Sequence, residues 1–171
     1  MIKKGKYEEI EGDITTVTDT EDGRIILPHV CNNLGVYGAG IALAIKNKWG
    51  PAEYYYMKHC NAWRKNGVIN PDIIGTSSYC RFEENNVYLC IANMIAQNGL
   101  VSRYNSRPLN YGALAVCMKN ILIEQQDFIP EARICTVKFG SGLAGGNWDI
   151  IKELIDFIWI RQGINVTVYC K

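Results

Sequence analysis

Two glycine-rich loops constrain this chain more than any other feature, because each one separates an apolar segment from a stretch with helical periodicity. The first, residues 32–40 (NNLGVYGAG), leads into the apolar run at 41–45, and the second, residues 139–148 (FGSGLAGGNW), leads into a helical pattern at 149–162. A glycine-rich turn between a strand and a helix presents backbone N–H groups and the positive end of the helix dipole to an anion. Two such units predict a shared site for a phosphate or diphosphate.

The pattern around these loops predicts an α/β fold. Short segments rich in Ile, Val and Tyr predict six strands, at 6–11, 24–31, 73–81, 86–94, 132–138 and 164–169. Apolar residues at spacings of three and four predict helices at 40–48, 52–66, 109–125 and 149–162, with Gly163 as the stop of the last one. Intervening helices imply parallel crossovers, whereas Asn85-Asn86 predicts an antiparallel hairpin, so we expect a mixed sheet of about six strands covered by helices.

Composition narrows the function classes. The 171 residues contain 18 Lys+Arg and 17 Asp+Glu, and no long basic run or linker divides them. Because no linker divides the chain, we expect a single domain over 1–171. Because nucleic-acid backbones are bound by clustered basic residues, we do not expect strong nucleic-acid binding. No apolar run approaches the roughly 20 residues that span a bilayer. We therefore expect a cytoplasmic protein that does not associate with membranes.

The cysteines do not indicate a metal centre. All seven are scattered singly, with no Cys-x-x-Cys pair and only two histidines in the chain. An odd number of isolated cysteines fits neither a disulfide framework nor a zinc site, so no metal and no other cofactor is predicted. Their apolar surroundings predict reduced, buried side chains.

Polar residues next to the loops offer candidate ligand contacts. Asp13 follows the first predicted strand and could accept hydrogen bonds from an exocyclic amine or cap a turn, and the amides of Asn32 and Asn33 could pair with sugar hydroxyls or cap the first loop. No Gly-Lys-Ser/Thr sequence follows either loop, and residues 38–43 (GAGIAL) lack the third small residue of the dinucleotide fingerprint. A nicotinamide-dependent oxidoreductase is therefore only a remote alternative.

Taken together, four segments resemble a macro domain, the ADP-ribose-binding module with a three-layer α/β/α fold. They are 12–14 (GDI), 29–42 (HVCNN followed by GAGIA), 92–97 (ANMIAQ) and 140–148 (GSGLAGGNW). The resemblance covers nearly the whole chain. Within the family it is most similar to the branch of yeast ADP-ribose-1″-phosphate phosphatases and related bacterial and phage proteins.

The resemblance implies a ligand site on both loops. Asp13 would hold the adenine amino group beside the backbone of Ile14, Asn33 would lie near the distal ribose with Asn32 beside it, and Tyr169 would either stack on adenine or be an ordinary strand-end aromatic. The segments that would surround the phosphates are Gly38, Ala39, Gly40 and Ile41 from the first loop and Ser141, Gly142, Leu143, Ala144 and Gly145 from the second.

Catalysis is a separate question, because the family contains both binders and hydrolases. The related phosphatases carry a histidine at the position of His29, which we expect at the loop mouth as a proton-transfer group. Hydrolysis of the terminal phosphate of ADP-ribose-1″-phosphate is the favoured function. A non-catalytic reader of free or protein-linked ADP-ribose and a mono-ADP-ribosyl hydrolase are the alternatives.

Two observations bear on those alternatives. The glycohydrolase branch uses a lysine after the hairpin strand and an aspartate in the second loop, whereas this chain has residues 95–98 (IAQN) and Ala144 at those places. Arg103, Tyr104 and Arg107 lie beyond residue 97, where they could reach a terminal phosphate or be merely solvated. The expected partners are ADP-ribose, ADP-ribose-1″-phosphate and ADP-ribosylated macromolecules.

Overall fold

The computed structural model describes residues 1–171. Its strands are β1 (Tyr7–Glu11), β2 (Gly23–Asn32), β3 (Arg64–Lys65), β4 (Val68–Ile69), β5 (Ser77–Glu84), β6 (Val87–Gln97), β7 (Arg133–Thr136) and β8 (Val166–Cys170). Its α-helices are α1 (Val17–Thr20), α2 (Gly40–Lys48), α3 (Pro51–Ala62), α4 (Tyr111–Asp127) and α5 (Trp148–Ile158). Three short 3-10 turns accompany them, at 14–16, 71–73 and 160–162.

The six long strands form one mixed sheet in the order β1-β8-β7-β2-β6-β5. Every neighbouring pair is parallel except β5 and β6, which form the predicted hairpin around Asn85 and Asn86. Asn85 has a φ of 54°, a left-handed conformation that asparagine adopts more readily than most residues. The predicted mixed sheet is therefore confirmed.

Helices cover both faces of the sheet, which confirms the three-layer architecture. α4 and α5 pack on one face around residues such as Leu114, Ile121 and Ile155, whereas α2 and α3 pack on the other around Ile45 and Tyr56. Six of the seven cysteines are buried within these two cores. None of the helices combines the length and the apolar character that crossing a bilayer requires.

The predicted helix 52–66 differs from the structure at its end. α3 stops at Ala62, and the chain forms the small antiparallel hairpin β3–β4. Its turn is Asn66-Gly67, with φ values of 52° and 78°. Asparagine followed by glycine is the strongest short-range signal for a two-residue hairpin turn, and it overrides the weak helical periodicity of this segment.

The order of the strands creates a crevice between β2 and β7. After β2 the chain crosses to the β6 side of the sheet, and after β7 it crosses to the β8 side, so these two neighbours are a topological switch point. β7 ends at Thr136, whose hydroxyl donates to the Pro28 carbonyl at 2.6 Å, while β2 continues to Asn32. The end of β2 thus stands beyond β7 and forms one wall of the crevice.

Asn93 is the centre of a buried hydrogen-bond network under this wall. Its Oδ1 accepts from His29 Nε2 at 2.6 Å and from the Tyr37 hydroxyl at 2.9 Å. Its Nδ2 donates to the Ala52 carbonyl at 3.2 Å and to Ser78 Oγ at 3.0 Å. One fully buried amide therefore joins β2, β5, β6, α3 and the loop before α2.

The network fixes the tautomer of His29. Because Asn93 Oδ1 can only accept, His29 Nε2 must carry the proton that it shares with Asn93, which leaves Nδ1 as the unprotonated nitrogen. Burial lowers the pKa of His29 to about 4, partly offset by the hydrogen bond to Asn93, so the imidazole is neutral at physiological pH.

Replacing Asn93 by alanine is expected to lower the free energy of unfolding by about 3 kcal/mol or more, because two buried donors lose their acceptor. Denaturant unfolding followed by circular dichroism measures the change. Asn86→Ala, on the exposed hairpin turn, is the control and should stay within about 0.5 kcal/mol of the parent. A loss below about 1 kcal/mol for Asn93→Ala would show that the network contributes little.

Stability should also fall as the pH drops from 6.5 towards 4. The folded pKa of His29 lies below the ordinary value of 6.5, so the unfolded chain binds more protons in this window, and the free energy of unfolding decreases by about 3 kcal/mol. His29→Gln, which keeps a donor for Asn93, should flatten the profile. Burial also lowers the pKa of His59. The same measurement on His59→Gln gives the part of the pH dependence of stability that comes from that side chain. An unchanged slope in His29→Gln would contradict the assignment.

Candidate functional site

A cleft opens at the crevice between the first glycine loop (residues 32–40) and the second glycine loop (residues 139–148). It consists of two connected halves that share Gly40, Ile41, Val137, Lys138 and Gly142. The Asp13 half, about 490 Å³, extends towards the ends of β1 and β8, and the Tyr37 half, about 320 Å³, extends towards the end of β6. The two predicted loops therefore line one continuous cleft.

The first glycine loop delivers free backbone donors to the cleft. Ala39, the N-cap of α2, has no side chain that can accept a hydrogen bond from the helix. The first N–H of α2 that bonds back along the chain is that of Leu43, which donates to the Ala39 carbonyl. The N–H groups of Gly40, Ile41 and Ala42 therefore remain available at the positive end of the helix dipole.

The second glycine loop supplies a facing set of donors. The N–H groups of Gly142, Leu143 and Ala144 form no hydrogen bond within the protein. By contrast, the N terminus of α5 carries a side-chain cap, because Asn147 Oδ1 accepts from the Asp149 N–H at 2.8 Å, and the first residues of α5 do not line the cleft. The free donors of this unit that lie along the cleft therefore belong to the loop.

The glycines of the two loops serve different purposes. A Cβ atom at Gly38 or Gly142 would meet no other heavy atom within 4 Å, so these positions leave space open beside the cleft. A Cβ at Gly145 would lie 2.5 Å from the Ser106 carbonyl oxygen, and one at Gly146 would lie 2.4 Å from Leu109 Cδ2. Gly145 was predicted to contact ligand, but it does not line the cleft and instead permits close packing on the segment before α4.

Asp13 is both a turn cap and a cleft residue. Its Oδ1 accepts from the Thr15 N–H at 2.9 Å and from the Thr15 hydroxyl at 2.8 Å, and its Oδ2 lies 2.7 Å from Lys171 Nζ. The Lys171 ammonium and the Thr15 donors lower the pKa of Asp13 to about 2. The carboxylate is therefore charged and an acceptor at the end of the Asp13 half.

Three other predicted residues line this half: Ile14, Tyr169 and Ser141. The N–H of Ile14 forms no hydrogen bond within the protein, so a donor stands beside the Asp13 acceptor. The Tyr169 ring packs against Gly12, where a Cβ would lie 3.3 Å from the ring, and its hydroxyl donates to Glu21 Oε1 at 3.2 Å. Ser141 also lines this half, although its hydroxyl already donates to the Lys138 carbonyl at 2.7 Å.

Asn32 and Asn33 shape the first glycine loop. Asn32 Oδ1 accepts from the Leu34 and Val36 N–H groups, and its Nδ2 donates to the Val36 carbonyl at 2.7 Å. Asn33 Oδ1 accepts from the Gly99 N–H at 2.8 Å and its Nδ2 donates to Asn98 Oδ1 at 3.2 Å, so this amide joins the loop to the chain after β6. Asn32 lines the Tyr37 half of the cleft, whereas Asn33 does not line the cleft. The contacts of the Asn32 amide support turn capping.

The Tyr37 half contains few ionisable side chains. Those in its lining are Cys31, Tyr37 and Lys138. Burial raises the pKa values of Cys31 and Tyr37 well above their ordinary values, so both are protonated at neutral pH. Gln97 also lines this half and was missed as a site residue, because the strand predicted at 86–94 continues to Gln97 as β6. Its place in the segment 92–97 that resembles a macro domain could have identified it.

His29 does not lie at the mouth of the loop, where it was expected. Its side chain is fully buried on the α3-facing side of the sheet, in the network of Asn93, and it is absent from the cleft lining. The reason is the alternation of β2, which places residue 29 on the same face as Ile25, Leu27 and Cys31. The expected position of His29 is therefore wrong.

The arginines beyond β6 are also outside the cleft. The Arg103 guanidinium lies over the Tyr104 ring at 5.7 Å, and the Arg107 guanidinium lies over the Tyr111 ring at 4.7 Å. Neither arginine lines either half of the cleft. Their predicted contact with a terminal phosphate finds no support in this geometry.

Known proteins resemble the chain in sequence and in fold, although no family model matches it. An ADP-ribose 1″-phosphate phosphatase from Aspergillus oryzae is 35% identical, in an alignment that covers 92% of this chain and 94% of the relative. A protein of unknown function from Bacteroides thetaiotaomicron superposes with a TM-score of 0.80 at 28% identity, covering 96% of this chain and 98% of the other.

A macrodomain protein from Streptomyces coelicolor superposes with a TM-score of 0.75 at 28% identity, and the match covers 97% of this chain and 99% of the other. The sequence similarity to the phosphatase and the structural similarity to the macrodomain protein thus extend over almost the same residues. On these grounds the chain belongs to the macrodomain family, alongside the ADP-ribose 1″-phosphate phosphatases.

Proposed function

We propose that this protein binds ADP-ribose in the cleft and hydrolyses the terminal phosphate of ADP-ribose-1″-phosphate. The observation that carries the proposal is the pair of facing donor sets, Gly40–Ala42 and Gly142–Ala144, whose N–H groups are free on the two sides of one cleft. Backbone donors at a helix N terminus and in a glycine loop bind phosphate groups well. A diphosphate between the two loops would use both sets.

The two ends of the cleft suggest the orientation of the ligand. At one end, the Asp13 carboxylate accepts and the Ile14 N–H donates, which matches the exocyclic amine and the adjacent ring nitrogen of adenine, with the Tyr169 ring nearby. The distal ribose and its phosphate then occupy the Tyr37 half. The activity named for the Aspergillus oryzae relative supports this substrate.

The chemistry that we assign to the Tyr37 half is positioning and charge stabilisation. Its lining contains neither a carboxylate nor an imidazole, and its thiol and phenol are protonated at neutral pH. The free N–H groups of the second glycine loop can stabilise negative charge that develops on the phosphate oxygens during hydrolysis. Without a general base in the lining, we expect a slow enzyme.

The same observation favours a second candidate, a reader that binds ADP-ribose without turnover. A mono-ADP-ribosyl hydrolase is less well supported, because Gln97 and Ala144 stand at or next to the places where that branch has its lysine and its aspartate. Membership of the macrodomain family leaves the nicotinamide-dependent oxidoreductase without support.

Adding one methyl group to the cleft tests the binding site. Gly38→Ala and Gly142→Ala have room for the new Cβ in the folded protein, but the methyl group intrudes on a ligand held against the backbone. We expect each to weaken ADP-ribose binding by about tenfold or more, as measured by calorimetry.

Gly50→Ala is the matched control, because Gly50 lies outside the cleft at the start of α3 and its nearest non-neighbouring atom, the Lys46 carbonyl oxygen, is 3.9 Å from the new Cβ. Its affinity should equal that of the parent. Parent affinity in both cleft variants, with unfolding curves unchanged, would place the ligand elsewhere.

Phosphate release from ADP-ribose-1″-phosphate tests the reaction. We expect slow release by the parent protein and about tenfold slower release by Gly142→Ala, because the misplaced phosphate loses its donors. A colorimetric phosphate assay, run on the preparation used for calorimetry, gives the rate. Tight ADP-ribose binding without any release would identify a reader, and absence of binding would overturn the proposal.

A further inference from the structure

The Tyr37 side chain belongs to two parts of the molecule at once. Tyr37 is one of the residues that line the Tyr37 half of the cleft, and its hydroxyl lies in the buried network, 2.9 Å from both His29 Nε2 and Asn93 Oδ1. The residues that follow it, from Gly38 to Ala42, line the same half of the cleft. Tyr37 therefore connects the buried histidine to the ligand-binding loop.

We propose that His29 is a positioning residue that acts through Tyr37 and takes no part in proton transfer to the substrate. Together with Asn93 it holds the Tyr37 hydroxyl, and it thereby fixes the backbone donors that follow, at Gly40–Ala42, in the ligand-binding position. This inference rests on the proposed function, since it concerns the same cleft.

The opposite end of the first glycine loop is held independently. The Tyr56 hydroxyl donates to the Asn32 carbonyl at 2.8 Å and accepts from the Gly35 N–H at 3.1 Å. Between Tyr37 and the first turn of α2, by contrast, Gly38 and Ala39 have no side chain that can form a hydrogen bond, and both are exposed. Asn32 holds the Val36 backbone just before this point, and beyond it the Tyr37 hydroxyl is the last side-chain hydrogen bond before the free donors at Gly40–Ala42.

The geometry also argues against direct chemistry by His29. Its Nε2 proton is engaged with Asn93 and lies 2.9 Å from the Tyr37 oxygen. The contact to its unprotonated Nδ1 is Cys31 Sγ, at 3.8 Å, inside the core. The imidazole is fully buried and does not line the cleft, whereas Tyr37 does, so Tyr37 stands between a substrate in the cleft and the histidine.

Three variants separate positioning from proton transfer. Tyr37→Phe removes the hydroxyl but leaves the 2.6 Å bond between His29 and Asn93 intact. His29→Gln keeps an amide donor near the place of Nε2, whereas His29→Leu removes it. Tyr54→Phe, at an exposed tyrosine on the outer side of α3, is the matched control. Calorimetry with ADP-ribose and steady-state phosphate release from ADP-ribose-1″-phosphate are measured for each.

Positioning predicts that Tyr37→Phe and His29→Leu each weaken ADP-ribose binding and raise KM by about fivefold, with kcat within about twofold of the parent. The double variant Tyr37→Phe/His29→Leu should lose no more ADP-ribose affinity than the weaker-binding single variant, because both changes break the same connection. His29→Gln should recover most of the affinity. The proposal would be overturned in favour of proton transfer if kcat fell in both histidine variants while Tyr37→Phe kept the kcat and KM of the parent protein.

Amide hydrogen exchange provides a readout that does not depend on the ligand. If the hydroxyl fixes the loop, Tyr37→Phe should accelerate exchange at Val36 and Leu43 by about fivefold, while core strand amides keep the parent rates. Unchanged exchange at both positions would contradict the proposal even if His29→Leu proved too unstable to study. Should the parent fail to bind ADP-ribose, the proposed function fails, and the exchange data alone decide whether Tyr37 holds the loop.

Discussion

The side-chain amide of Asn93 is the interaction on which the arrangement of the site depends. It uses both of its protons and accepts two hydrogen bonds, so β2, β5, β6, α3 and the loop before α2 are joined at one buried point. A buried polar group of this kind stabilises a fold only when it is fully satisfied, because each unpaired donor or acceptor carries a desolvation penalty. The requirement therefore fixes the geometry of the wall beneath the cleft.

The cleft itself is a consequence of topology and strand length. Where the chain turns to opposite sides after two adjacent parallel strands, no crossover helix covers the ends of those strands, and a crevice remains. Because β7 is the shorter strand, the second glycine loop leaves the sheet early and faces the end of β2. The residues that carry the free donors of both loops then line the same cleft, so the proposed recognition of phosphate relies on the backbone more than on charged side chains.

His29 illustrates how a residue can be singled out correctly and assigned the wrong place. Histidine at the end of a strand beside a glycine loop suggests proton transfer, since its ordinary pKa lies near neutrality. Burial in the network removes that property and replaces it with a structural contact to Tyr37. A similar change applies to the two asparagines that were expected to bind a sugar: the Asn32 amide bonds to the backbone of its own loop, and the Asn33 amide bonds to Asn98 and Gly99.

The sequence by itself determined the six main strands, the mixed sheet, the two glycine loops and the position of Asp13, because these depend on local periodicity, turn chemistry and the order of the segments. The tertiary structure alone decided which glycines face the cleft and which permit close packing, that Gln97 and Lys138 line the site, and that His29 lies beneath it. The physical reason is that the sheet is covered on both faces. Alternation along a strand shows which residues share a face, but only packing against a particular helix or loop shows which face a ligand can reach.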